Sequence, residues 1–426
     1  MNSPPQTEPH LTAETVRLPV TFAVMLIGFI AQTLQQYLFP LYFTAKGLPA
    51  DAWESWSYAE VIAWIVGPLF AGRLCHRYGE RRIWGLGLLM GTAVVGSVWL
   101  IPTDTAQSDP NAQVVLSGLG FLNGMWSSFV WVAGTSLCQA VSIERRGLAN
   151  SLMLTAMGLG SLAGPSFGRL LTKAIYFWND KSFPLPLAYR YHLLMFIVLA
   201  LLGAILILIW GERRDAAPMI RVEDSRGGYG ILLKNRKFVI AIISLGLCAG
   251  PILQAVYVYR PYRVRDPAIA LIIGAEDHGW AALEVLGNFM QLVGGWLVGV
   301  MSVRLVSGKA TAGVLALFSL LVLAMGLAPN AMAMFAASAG LELTRQFIRW
   351  AQTGYVSAIL PDDQRARGIG LMVLVCSLGS FLFNSFTRWM QSPGTPEFSS
   401  SLPFYWASSI GLTGAVILLG ISWRKA

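Results

Sequence analysis

Charge is scarce in this chain. Only 12% of its 426 residues are Asp, Glu, Lys or Arg, against 55% hydrophobic ones. A soluble globular chain carries about twice that charged share, so an ordinary water-soluble domain is excluded and a lipid bilayer is the expected surrounding. Cysteine is almost missing. Cys75, Cys138, Cys248 and Cys376 fall one apiece in or beside separate apolar runs, without metal-ligand spacing or pairing in an exposed loop. They read as small packing residues, not as a disulfide framework or a metal site. The four histidines, His10, His76, His192 and His278, are scattered over tail, loop and span ends, which speaks against a shared histidine centre. A Walker phosphate loop and a zinc-type cluster are both missing, and the longest polar inner segment, Gly211 to Lys237, is too short to hydrolyse a nucleotide. The chain therefore reads as no enzyme and no primary pump, with no cofactor and no metal.

What is present is oily length. Twelve apolar runs between residues 19 and 423 each approach the roughly 20 residues that a spanning helix needs. The polar first 18 residues hold three prolines and read as a tail, not a cleavable signal. Residues 19–210 then form one set of six runs, residues 211–236 a polar linker, residues 237–423 a second set, and residues 424–426 a short end. The net charge of +9 is spread between the runs: twenty of the 31 Lys and Arg fall on segments of one side. Because Lys and Arg are retained on the cytoplasmic face, both termini are expected inside, in a cell (inner) membrane. That spread also argues against nucleic acid as a partner. A functional monomer is expected.

One short basic turn organises the first half. Gly72-Arg-Leu-Cys-His-Arg-Tyr-Gly-Glu-Arg-Arg82 lies between the second and third runs, with Gly72 suited to close helix approach and Gly79 to a tight reversal. Gly72, Arg77, Gly79, Arg81 and Arg82 match the loop signature of the major facilitator superfamily, which the chain resembles along its whole length. His76 stands where that family usually has Asp. Glu144-Arg-Arg-Gly147 and Asp362-Asp-Gln-Arg-Ala-Arg-Gly368 are a faint internal repeat after the fourth and tenth runs. The resemblance implies an all-α membrane fold of twelve helices in two pseudo-symmetric six-helix bundles around a central cavity open alternately to either side. It also implies secondary transport coupled to protons, with Gly72, His76, Arg77, Gly79, Arg81 and Arg82 in gating.

The fifth run, Gly160-x3-Gly164-Pro165-x2-Gly168, resembles a motif of superfamily antiporters that export, although Arg169 replaces its final glycine. Gly164 and Pro165 therefore join the gating candidates, and a drug or lipophile efflux antiporter is the alternative reading. A non-transporting receptor on the same fold is a more distant one.

Ionisable groups within lipid need partners or a wet cavity, since an unpaired one costs about 2.5–3.5 kcal/mol at the helix centre. The tenth run carries Glu342, Arg345 and Arg349 at helical spacing, with Gln346 beside them. A guanidinium fork suits carboxylate or phosphate, so Arg345 and Arg349 are expected to bind a small anionic or zwitterionic organic solute. Gln32, Gln36, Asn123, Trp126, Gln254, Tyr257 and Asn288 supply amides and aromatics for the same cavity. Proton coupling needs a carboxyl that can change charge state, and Glu342, Glu284 and Glu60 are the candidates.

Overall fold

A computed structural model describes residues 18–45, 50–100, 110–140, 143–178, 185–210, 228–271, 278–305, 307–361, 364–390 and 399–422. Within its helices, the side chains of Gln36, Pro165, Tyr257 and some others lie outside what is described. All helices and turns among the described residues follow from one constraint: lipid offers the backbone no hydrogen bonds, so each spanning segment must satisfy its own.

The first half comprises α1 (Leu18–Ala45), α2 (Ala50–Tyr78), α3 (Glu80–Leu100), α4 (Pro110–Gln139), α5 (Ile143–Trp178) and α6 (Leu185–Trp210). A short helix, α7 (Gly228–Lys234), then leads into the second half. Its first rod is composite: α8 (Arg236–Ala241), a π-helical turn Ile242–Leu247, α9 (Ala249–Gln254), a second π-helical turn Ala255–Tyr259, and α10 (Arg260–Arg263). There follow α11 (His278–Leu305), α12 (Gly308–Leu327), and α13 (Ala331–Trp350), the last continued by a π-helical turn Ala351–Tyr355 and α14 (Val356–Ile359). The rods α15 (Arg365–Met390) and α16 (Leu402–Ser422) complete the set. The described residues thus form twelve long rods, one for each apolar run. Among the described residues, ten helices are long and apolar enough to cross a membrane. The long helix α13 falls outside that group because Glu342, Arg345 and Arg349 interrupt it.

Local chemistry sets the ends of these rods. Asn235 caps α8 by accepting from the Lys237 and Phe238 amides, while Ser307 and Asn330 do the same for α12 and α13. Between α2 and α3 the chain reverses at Gly79, whose φ of 85° favours a residue without Cβ. Its amide closes the last turn of α2 on the Cys75 carbonyl at 2.9 Å.

In the first half α1 packs on α5 and α6, and α4 packs on α2 and α3; in the second, α13 packs on α11 and α12, and α16 on α12. Two pairs dominate the packing between the halves, α2 with α15 and α5 with α11, while α4 touches α15 and the turn Ala351–Tyr355 more lightly. The two dominant pairs are the second and eleventh rods and the fifth and eighth, so exchanging the halves converts one pair into the other, as two parallel repeats require.

The α2–α15 seam is tight at the end where α2 turns into α3, hereafter the turn end. A Cβ built on Gly72 would lie 2.9 Å from the Ala366 carbonyl oxygen and 3.1 Å from the Arg367 Cα. Tyr229 of α7 reaches the same place and donates to the Leu69 carbonyl at 2.6 Å. At the opposite end of the seam, Arg388 of α15 donates to the Tyr58 hydroxyl of α2.

Candidate functional site

Of the charged residues of α13, Glu342 and Arg345 are buried and Arg349 is half-buried, and they are not alone there. Glu342 is 1% exposed and accepts from three side chains on three helices. Arg345, one turn along α13, donates from Nη1 to Oε2 at 2.6 Å. Gln291 of α11 donates to the same oxygen at 3.0 Å. Arg260, at the start of α10, donates from Nη1 to Oε1 at 2.9 Å. The other terminal nitrogen of Arg260, Nη2, donates to Glu284 Oε1 of α11 at 2.5 Å. Gln346 extends the network by donating to Gln291 Oε1 at 3.2 Å. Arg349 interacts electrostatically with Glu342 and brings Nη1 to 3.9 Å from the Met157 sulfur of α5, in the other half.

Among the described residues, three guanidinium groups therefore gather at two carboxylates. Such a cluster is ordered by its own hydrogen bonds and holds forks whose geometry matches a carboxylate. The backbone that carries Arg260 is itself pinned. Arg263, one turn on, donates to Asp266 Oδ2 at 2.6 Å and to the Ala328 carbonyl at 2.7 Å. The Ser400 hydroxyl also donates to Asp266, at 2.9 Å. Burial opposes ionisation of Asp266, yet the Ala268 amide, Ser400 and Arg263 together hold its carboxyl below the usual range.

Arg260 is not among the candidates read from the sequence, because the seventh apolar run stops at Tyr259 and a base beyond it looks like a span end. The seventh rod continues to Arg263 and carries Arg260 inward. A usable signal exists in the composition of α13, which has one acid among its three charges and needs something outside its own helix to order them.

A second polar cluster lies in the first half. Asn123 of α4 accepts from Gln35 of α1 and, at 2.7 Å, from the Trp126 indole. The Glu60 carboxyl of α2 lies beside Asn123 and Trp56. The amide of α1 that joins this cluster is Gln35, whereas Gln32 lines a small cleft with Met25, Gly28, Phe29, Val130 and Trp131. Trp126 is 1% exposed and set edge-on against Phe196, so its ring packs the core of the half. Gln254 and Asn288 are half-buried on α9 and α11. The side chains of Gln36 and Tyr257 lie outside the described residues.

The loop residues sort by position. Gly72 is buried in the seam, while His76, Arg77 and Arg82 are exposed. Arg81 donates to the Leu208 carbonyl of α6 at 2.5 Å and so ties α3 to the last rod of its half. Gly164 faces Thr33 and Leu34 of α1, and Gly160 faces Phe29, so no Cβ fits at either position without a shift. Those glycines are used for helix packing within the first half. Pro165 has no described side chain. Cys75, Cys138 and Cys248 are buried free thiols and Cys376 is half-buried. Among the described residues no group of His, Cys, Asp and Glu is arranged to hold a metal.

Known proteins match this architecture. The chain is 30% identical over 134 residues to an uncharacterized MFS-type transporter, YcaD, of Escherichia fergusonii, and the match spans 32% of each protein. A variant of the E. coli fucose:proton symporter FucP superposes with a TM-score of 0.69 at 15% identity, covering 94% of this chain and 98% of that one. FucP in the outward conformation gives 0.70 at 16% identity with the same coverage. The human organic anion transporter MFSD10 gives 0.65 at 15% identity, again over 94% and 98%. The family model of the Major Facilitator Superfamily matches residues 21–384. With twelve helical rods in two sets of six and that match across most of its length, the chain is a multi-pass membrane transporter that belongs to the Major Facilitator Superfamily.

Proposed function

We propose that this protein moves a small anionic or zwitterionic organic solute across the inner cell membrane by alternating access, with protons as the coupling ion. The observation that carries the reading is the cluster in which the guanidinium groups of Arg260, Arg345 and Arg349 gather around Glu342 and Glu284. A guanidinium fork donates two parallel hydrogen bonds, and a carboxylate or phosphate is the ligand it fits. Two relatives in fold support the two parts of the reading, one a fucose:proton symporter and the other an organic anion transporter.

In this scheme residues 19–210 and 237–423 rock as two bodies joined by the linker 211–236, and Arg345, Arg349 and Gln346 line the solute path with Arg260. The positive segments, the turn end among them, face the cytoplasm with both termini. The seam at Gly72 and Tyr229 closes that side, and Tyr58 with Arg388 closes the other. The efflux reading has less support, because the fifth-rod glycines that suggested it are engaged in packing on α1.

The test is thermal stabilisation of the purified protein by metabolites grouped as acidic, neutral and basic, since a ligand of the folded state raises the unfolding midpoint by mass action. Stabilisation confined to acidic or zwitterionic compounds supports the proposal. Stabilisation by lipophilic cations in place of acids would overturn it.

A further inference from the structure

Two arginines, one from each half, stand at the turn end of the α2–α15 seam. Arg367 lies in the first turn of α15 and is 6% exposed, yet its Nε has no hydrogen-bond partner among the described residues. Arg73 follows Gly72 on α2 and is exposed. Neither guanidinium is joined to a carboxylate among the described residues. A Cβ position on Gly72 is 3.1 Å from the Arg367 Cα and 3.2 Å from the Tyr229 hydroxyl, so that hydroxyl and the first turn of α15 share one small volume. Both guanidinium groups act electrostatically on the hydroxyl. It donates to the Leu69 carbonyl and neutralises neither of them. Glu80, an acid at the same end, accepts from Ser136 at 3.0 Å within the first half. Asp362 and Asp363, which precede α15, lie outside the described residues.

Like charges on opposite sides of a seam favour its opening. The first amides of a helix add positive potential at the same place, because they have no acceptor within the helix. An anion held there reverses the sign of the contact, since each guanidinium then donates to it across the seam. A phosphate suits the place better than a carboxylate, because its oxygens point to several sides and can accept from two forks and the helix amides together.

We propose that a phosphate group binds between Arg73 and Arg367 and holds the two halves closed at the turn end. The site is separate from the cluster around Glu342 and does not depend on which solute is carried. Its ligand comes either from a phospholipid headgroup or from free phosphate. The short helix α7 brings headgroups near: Ile231 and Leu233 are exposed apolar side chains, and Lys234, Arg236 and Lys237 beyond them are exposed bases. Apolar tips followed by bases suit a segment that lies on an anionic membrane surface.

The experiment reads the closed fraction at the turn end of the full-length protein, from spin-label distances between α2 and α15. One arm uses nanodiscs of digalactosyldiacylglycerol with and without phosphatidylglycerol. The other uses lipid-free detergent with sodium phosphate, against sodium chloride at equal ionic strength. Phosphatidylglycerol is expected to raise the ratio of closed to open several-fold. A matching rise with sodium phosphate in detergent assigns the site to the free anion, and a rise confined to the nanodiscs assigns it to the headgroup. Arg73→Gln, at an exposed position that folding tolerates, and Arg367→Gln both abolish the response and, with the repulsion removed, are more closed than the unaltered protein when no phosphate is present. Lys309→Gln, which removes an exposed base of α12 away from the seam, keeps the response. The proposal is overturned if neither phosphate source changes the closed fraction, if the response survives in Arg73→Gln, or if Lys309→Gln loses it equally, since the last result means a general surface-charge effect.

Discussion

Arg260 and Glu342 stand 82 positions apart in the chain and are joined by a hydrogen bond of 2.9 Å in a buried ion pair. That bond ties the end of the seventh rod to the middle of the tenth and makes Glu342 the hub of the second half. Glu342→Gln leaves two guanidinium groups facing a neutral amide. Removing one partner of a buried pair costs about 3–5 kcal/mol, whereas losing the neutral donor in Gln291→Ala costs about 1 kcal/mol. Thermal unfolding in detergent is expected to show a midpoint drop on the order of 5 °C for the first substitution and a much smaller one for the second. Equal drops would remove Glu342 from its central place.

The α2–α15 seam makes a conformational prediction. A side chain on Gly72 meets the Ala366 carbonyl and the Arg367 backbone, neither of which is a flexible tip, and Gly370 meets the Pro68 carbonyl in the same way. Gly72→Val and Gly370→Val should therefore separate the halves at the turn end without unfolding either. Thiol labelling of a cysteine introduced beside the seam should become several-fold faster in both variants. Unchanged labelling would mean that this contact does not hold the halves together.

Tyr229 provides a pH signature at the same place. Burial pushes its hydroxyl up to about 12, against lowering by Arg367 and Arg73 nearby. Because the folded value lies above the ordinary tyrosine value of about 10, the contribution is complete below about pH 10 and is lost as pH rises towards 12. Unfolding followed from about pH 8 to about pH 11 should show a gap between the unaltered protein and Tyr229→Phe that is constant at first and shrinks above about pH 10. A gap that grows with pH would contradict the bond from Tyr229 to the Leu69 carbonyl.

The opposite end behaves differently because its tie is exposed. Tyr58 and Arg388 are both at the surface, with the guanidinium carbon 5.6 Å from the ring centroid as well as hydrogen-bonded to the hydroxyl. Exposed pairs contribute about 1 kcal/mol or less, so Arg388→Ala should leave the unfolding midpoint within a degree or two. The population open at that end should nonetheless rise, read by spin-label distances between α2 and α15. A large loss of stability with no change in those distances would make the pair structural.

The twelve rods and their division are legible in the sequence because spanning length and low charge leave the backbone few alternatives. The turn at Gly79 is legible from a glycine between two basic clusters, and its φ of 85° fits that reading. The cluster around Glu342 is visible only in part. Spacing along α13 places Glu342 beside Arg345, and the 2.6 Å bond between them agrees. Spacing within one helix carries no information about Arg260, which depends on how far the seventh rod extends and on its crossing with α13. Gln35 shows the same limit. On a helix without a strong polar stripe, periodicity alone does not separate it from Gln32 and Gln36, and packing against Asn123 decides the matter.

The most direct test is proton-driven uptake in proteoliposomes, with labelled carboxylate on the acidic side of an imposed pH gradient. The account predicts accumulation above equilibrium by the unaltered protein, its loss on collapsing the gradient with a protonophore, and its loss in Arg260→Lys and Arg345→Lys proteins that still fold. Accumulation that persists undiminished in both arginine variants would contradict the account.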